Sequence, residues 1–170
     1  LAGIEGDYHP GAPDHAGAEL ALASLIEAGR RAVAGEVAGL VTAPVSKARL
    51  AAVGFTHPGQ TEFVAELCGI AAPDAVMMLA GPSLRTIPLT VHIPLGAVPA
   101  ALTADLIMRR ARIAARALAQ DFGIDQPRIA IAALNPHAGE DGRMGDEEAR
   151  IIAPAIAQLQ AAGLAVTGPH

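Results

Sequence analysis

The chain has no tryptophan, one tyrosine and three phenylalanines in 170 residues, so aromatic rings cannot fill its interior. Hydrophobic residues nevertheless make up 52% and charged residues only 17%, which excludes a disordered tail. Any core must therefore be Ala, Leu, Ile and Val in close contact. Helices tolerate such a composition, and buried strands use its branched part. A lone cysteine, Cys68, excludes an internal disulfide and fits a reducing compartment. Its setting, Phe63-Val64-Ala65-Glu66-Leu67-Cys68-Gly69, reads as a buried structural thiol rather than a reactive one. The net charge is −5, and no basic run or aromatic–basic interleaving occurs, which argues against nucleic-acid binding.

Long apolar runs are missing too. Thr86 to Ala104 is interrupted by Pro88, His92, Pro94 and Pro99, and Ile151 to His170 by Pro154, Gln158, Gln160 and Gly163. Neither reads as a membrane span. No basic stretch precedes an apolar run at the start, so no signal peptide is visible and a cytoplasmic location is expected. Neither G-x-G-x-x-G nor G-x-x-x-x-G-K-[ST] is present, so no Rossmann fingerprint or P-loop can be claimed.

What is there is alternation. Leu1 to Pro13, rich in Gly, Pro and His, reads as loop. Apolar residues then recur at helical spacing from Asp14 to Ala34, with Arg30 and Arg31 suited to the helix's negative end. Gly39 to Thr42 reads as a short strand, Ser46 to Val53 as a brief helix, and Thr61 to Leu67 as a helix stopped by Gly69. Ala75 to Ala80 and Leu84 to Ile93 are strand-like. The short Gly81-Pro82-Ser83 link admits antiparallel neighbours but no crossover helix, so the sheet is mixed. The longest helix is expected from Ala104 to Asp121 with Thr103 as N-cap. A strand from Arg128 to Leu134 follows. A last helix runs from Asp146 to Ala162, with Gly163 as its cap and Pro154 as a kink or an exposed-side residue. The reading is one layered α/β domain over residues 1–170.

Two histidines stand out. His92 and His137 each follow an apolar strand-like run and lie beside a proline, Pro94 and Pro136 respectively. Ligands of α/β sheets bind outside the carboxyl ends of strands, where two neutral imidazoles can share a divalent metal. Taken alone, His92 reads better as a buried strand histidine satisfied by a carbonyl. Glu140 and Asp141 are either acceptors for an imidazole N–H or part of a solvated loop. Asp146, Glu147 and Glu148 are accounted for by helix N-terminal electrostatics. Lys47, following Pro44-Val45-Ser46 at a strand end, is placed to face a phosphate, but a solvated surface lysine is the preferred reading. His9, His15 and His57 have no spacing argument behind them.

The phrases Val41-Thr42-Ala43-Pro44-Val45-Ser46-Lys47, His57-Pro58-Gly59-Gln60-Thr61-Glu62-Phe63, Val76-Met77-Met78-Leu79-Ala80 and Leu134-Asn135-Pro136-His137-Ala138-Gly139-Glu140 occur in this order. The chain thereby resembles the 4-hydroxythreonine-4-phosphate dehydrogenase family of vitamin B6 synthesis, from about Ala32 to Pro169. The resemblance implies a layered α/β/α fold of the isocitrate/isopropylmalate dehydrogenase type, with this chain as the central segment of a larger two-domain enzyme. It implies NAD(P) as cofactor and a divalent metal (Zn, Mg or Co) held by His92 and His137. The third metal histidine comes from the partner subunit of a homodimer. Gln60 and Thr61 match positions that contact a phosphorylated hydroxy-amino-acid substrate, 4-phosphooxy-L-threonine. The family usually has His where this chain has Gln60, which leaves a sibling substrate open: a phosphorylated threonate or erythronate, or a cyclic diol acid. A non-catalytic folded fragment is the remaining reading. Thr61 alone also reads as a helix cap bonded to the N–H of Phe63 or Val64. No residue is assigned as catalytic.

Overall fold

The computed structural model describes Gly11 and residues 14–170, so the expected loop from Leu1 to Pro13, and His9 with it, falls almost wholly outside the described residues. The chain folds as two compact units, divided between Ala75 and Val76.

In the first unit three helices enclose a small apolar core. Helix α1 (His15–Val33) starts where the Asp14 carboxylate accepts the Gly17 N–H at 2.7 Å, and it ends with Arg30 and Arg31 at its negative pole. Helices α2 (Lys47–Ala52) and α3 (Gln60–Leu67) fall where the sequence places them. Leu25, Leu50, Phe55 and Phe63 form the buried centre, with Leu22, Ile26, Leu40 and Leu67 against it. His57 joins this core as a structural ring. Its imidazole meets Phe55 and Phe63 edge-on, at centroid distances of 5.2 and 5.4 Å.

Two expectations fail in this unit. Gly39 to Thr42 forms no strand. Leu40 packs inward while Val41 is 97% exposed, and among the described residues every strand lies in the second unit, leaving this segment no ladder to join. Cys68 is exposed rather than buried, because α3 ends at Leu67 and leaves Cys68 as its C-cap on the surface.

The second unit holds the strands. β1 (Leu79–Ala80) and β2 (Arg85–Thr86) are antiparallel, as the short Gly-Pro-Ser link requires. They are far shorter than the expected runs. Pro88 offers no ladder N–H, and His92 has φ +57°, so the chain from 87 to 94 bends instead of extending. A four-residue helical turn, α4 (Val98–Ala101), leads to α5 (Ala104–Gln120), whose Thr103 hydroxyl accepts the Leu106 N–H at 3.1 Å. At 17 residues α5 is second in length to α1, which has 19, contrary to expectation.

β3 (Arg128–Ala130) runs parallel to β4 (Ala165–Thr167), in register Ile129 to Val166. Between them come a loop, a wide π turn (Glu148–Ile152) and α6 (Ala153–Ala161), which together make the crossover that parallel strands need. The wide turn explains Pro154. It lies just inside α6, where the ring finds room and the missing N–H breaks little of the ladder. Gly163, at φ +86°, ends α6 as expected. Ile107, Ala111, Ile152, Ala155, Ile156, Leu159 and Val166 form the core between α5, α6 and β4. No described helix is long and apolar enough to cross a membrane.

Candidate functional site

The second unit carries both candidate metal histidines. Past Ala130 the β3–β4 pairing continues: Ile131 N–H donates to Thr167 at 2.9 Å, and Ala133 N–H to the His170 carbonyl at 2.8 Å. The sheet therefore delivers the chain to Asn135 in a fixed direction. There Pro136 ends the extended run and Asn135 organises a turn. Its Oδ1 accepts the His137 N–H at 2.9 Å, and its Nδ2 donates to the Met144 carbonyl at 3.2 Å. Ala138, Gly139 and Glu140 follow with φ of +50°, +78° and +43°. Two of these are non-glycine residues in the left-handed region, the kind of local strain that clusters at functional sites.

On this turn the His137 side chain is 61% exposed, with Nδ1 3.8 Å from Glu140 Oε1. That distance is too long for a hydrogen bond, so Glu140 is at most a loose electrostatic neighbour. The side chain of Asp141 lies outside what the structure describes. Glu148 does something the sequence reading did not foresee. It is 6% exposed, and its Oε1 accepts the N–H groups of Leu134 (3.0 Å) and Asn135 (2.9 Å). The Asn135 N–H above all, and then its own backbone N–H and that of Leu134, hold its carboxyl below the usual carboxylate range against the opposing effect of burial. Its neighbour Glu147 stands at the N-cap position without a side-chain capping bond, and Asp146 Oδ1 accepts from Arg150 Nε at 3.3 Å.

His92 is exposed, at the φ +57° bend rather than at a strand end, which corrects the buried-strand alternative. Imidazoles left this open have donor chemistry suited to a divalent metal. Among the described residues, however, no three His, Cys, Asp or Glu side chains gather as a metal-holding group. His92 and His137 are two exposed imidazole donors, fewer than the three that such a group needs.

The first unit carries the candidate substrate residues at the start of α3. Gly59, not Thr61, is the N-cap, and no side chain caps the helix. This corrects the capping alternative: Thr61 lies inside the first turn with its side chain exposed. Gln60 is anchored, because the Thr42 hydroxyl donates to its Oε1 at 2.9 Å, while its Nε2 keeps two N–H donors. Lys47 reaches the same place. A methyl group built on Gly59 would lie 3.9 Å from Lys47 Nζ and 3.0 Å from Glu62 Oε2. Lysine, amide and first-turn N–H groups all favour an anion here, while the Glu62 carboxylate opposes one. Lys47 is exposed, as a solvated surface lysine is, and its place after Pro44-Val45-Ser46 is what brings it near this helix start.

The family profile of pyridoxal phosphate biosynthetic protein PdxA matches residues 2–170. The chain belongs to the PdxA family. It is 59% identical, over all of its 170 residues, to a protein of Erythrobacter litoralis named 4-hydroxythreonine-4-phosphate dehydrogenase, and covers 51% of that protein. Among solved structures, 4-hydroxythreonine-4-phosphate dehydrogenase of Klebsiella pneumoniae aligns with a TM-score of 0.86 at 40% identity, covering 95% of this chain and 49% of that one. A terephthalate 1,2-cis-dihydrodioldehydrogenase of Burkholderia xenovorans aligns at a TM-score of 0.67 and 34% identity, covering 96% of this chain and 52% of that one. The α/β class expected from the sequence is the fold of these PdxA dehydrogenases. The chain spans about half the length of the curated relatives it matches.

Proposed function

We propose that this chain is the central segment of a two-domain, NAD(P)-dependent dehydrogenase that oxidises the 3-hydroxyl of 4-phosphooxy-L-threonine, with loss of CO₂ from the keto acid formed. The observation that carries this reading is the 59% identity, without a gap in coverage, to a curated enzyme of that name. His92 and His137 would supply two imidazole donors to a divalent metal (Zn, Mg or Co), with a third histidine contributed by the partner subunit of a homodimer. When bound, such a metal polarises the substrate oxygen at the reacting carbon. NAD(P) takes up the hydride, and the protein contributes orientation and electrostatics.

This chain's own residues have narrower tasks. The rigid Asn135 turn fixes where the His137 ring stands. Gln60, held by Thr42, presents an amide donor to the phosphate end of the substrate, and the Thr61 hydroxyl adds a second contact. The protein works in the cytoplasm. The isolated 170 residues fold but turn over nothing, since the other half of the enzyme supplies the remaining cofactor and metal contacts.

A second reading is supported by the likeness to the terephthalate dihydrodiol dehydrogenase and by Gln60 in place of the usual His. A neutral amide suits a carboxylated cyclic diol as well as it suits a phosphate. Nicotinamide reduction by the full-length protein, assayed with 4-phosphooxy-threonine and with a cyclic cis-diol acid, decides between them. Turnover of the phosphorylated substrate alone supports the first reading. Turnover of the diol acid alone replaces it with the second. Gln60→His sharpens the choice. Under the first reading it lowers KM for the phosphorylated substrate by roughly fivefold, the worth of one charge-assisted hydrogen bond.

A further inference from the structure

Glu148 is buried, ionised and outside every role proposed so far. Glutamate is almost never fully buried unless it is paired, and this one is paired with backbone alone. Its position explains why. On this side Ala133 N–H donates to the His170 carbonyl. The next two amides, Leu134 and Asn135, have left the sheet, and both donate to Glu148 Oε1. The other oxygen, Oε2, has no hydrogen-bond partner among the described residues and lies close to Gly139, 3.1 Å from where a β-carbon on that glycine would stand. One carboxylate thus bonds the chain two and three residues before His137 and lies close to it two residues after.

We propose that Glu148 is the positioning residue of the His137 turn: its carboxylate fixes the backbone that presents the imidazole. The proposal rests on the reading of His137 as a metal ligand only for its functional consequence, because the brace itself is a property of the fold. Without Glu148, two N–H groups at the sheet exit lose their acceptor, and the strained 138–140 backbone loses the carboxylate close to it.

The test uses the full-length protein with Glu148→Gln and Glu148→Ala, read by amide hydrogen exchange, by backbone order at His137, and by titration with Co²⁺. Glu148→Gln keeps an acceptor oxygen of the same reach, and both amides should stay protected. Glu148→Ala should lose protection at Leu134 and Asn135 and lower the order at His137, while Ile107 and Leu159 in the core keep theirs. Unchanged order at His137 in Glu148→Ala overturns the proposal. So does an equal loss of protection at Ile107 and Leu159, which would mark a general structural role. If Glu148→Ala does not fold, Glu148→Asp decides by the same criteria, since a carboxylate one methylene shorter withdraws from the two amides while keeping the charge. Co²⁺ affinity should fall about tenfold in Glu148→Ala and recover in Glu148→Gln, the scale on which partners outside the ligand set act on a metal. Should the unmodified full-length protein bind no Co²⁺, the ligand reading of His137 fails, and the exchange and order data still decide the role of Glu148.

Discussion

Gly139→Ala tests how tightly the His137 turn is built, and Gly142→Ala is its natural control. Both glycines are left-handed, with φ of +78° and +88°. An L-residue pays about 1–2 kcal/mol for that conformation. Around Gly142 a new β-carbon meets nothing within 4 Å, so the conformational cost is the whole cost. At Gly139 the same atom meets the Gly145 carbonyl oxygen at 2.8 Å and Glu148 Oε2 at 3.1 Å. The first of these is backbone, which cannot rotate aside. Relief requires moving the 145 segment or displacing the Glu148 carboxylate from its two N–H donors, each bond worth about 1 kcal/mol. Gly139→Ala should therefore cost about 2–4 kcal/mol, and Gly142→Ala about half as much. Urea unfolding of both variants gives the totals, and exchange at the Leu134 and Asn135 amides locates the damage. Equal destabilisation in the two variants, with unchanged exchange at Asn135, would refute the packing argument.

The centre of the second unit should be sensitive to volume. Leu159, fully buried, should cost about 2–5 kcal/mol on change to Ala by urea unfolding, whereas Leu95, 87% exposed, should cost almost nothing. The Glu148 carboxyl is held below its unfolded value of about 4.3, so its contribution is fully present above that pH and is lost as pH falls through the lower folded value. Protection of the Leu134 and Asn135 amides, corrected for intrinsic exchange, should stay flat from neutral pH to about 5 and drop only below about 4. A decline already complete at pH 5 would contradict that sign.

Local chemistry made much of the fold legible. Thr103 announces α5 because a hydroxyl cap acts three residues away, and Gly163 ends α6 because a left-handed residue is needed there. The Gly81-Pro82-Ser83 link gave antiparallel pairing for the same reason: its shortness is a local fact. Strand lengths were over-read. An apolar run such as Leu84 to Ile93 satisfies a strand pattern, yet pairing depends on a partner and on N–H groups that Pro88 lacks. Gly39 to Thr42 failed likewise, for want of a partner strand. Pro154 reads as a break in a helix, and only the wide turn ahead of it shows how the chain continues. At the candidate site, the Asn135-Pro136-His137 turn was visible in its residues. The Glu148 brace was not, because it joins positions 13 and 14 apart in the chain, and an acidic triplet at a helix start has a sufficient local explanation.

The most direct test of the account is divalent-metal dependence in the full-length protein, with His92→Ala and His137→Ala beside the unmodified enzyme. Nicotinamide reduction with 4-phosphooxy-threonine should vanish on chelation and return with added Zn²⁺, Mg²⁺ or Co²⁺. Each histidine variant should raise the metal concentration needed for half-maximal activity by at least about tenfold while keeping its far-UV circular dichroism. Full activity in the presence of chelator, or a His137→Ala enzyme with the metal requirement of the unmodified one, would contradict the assignment.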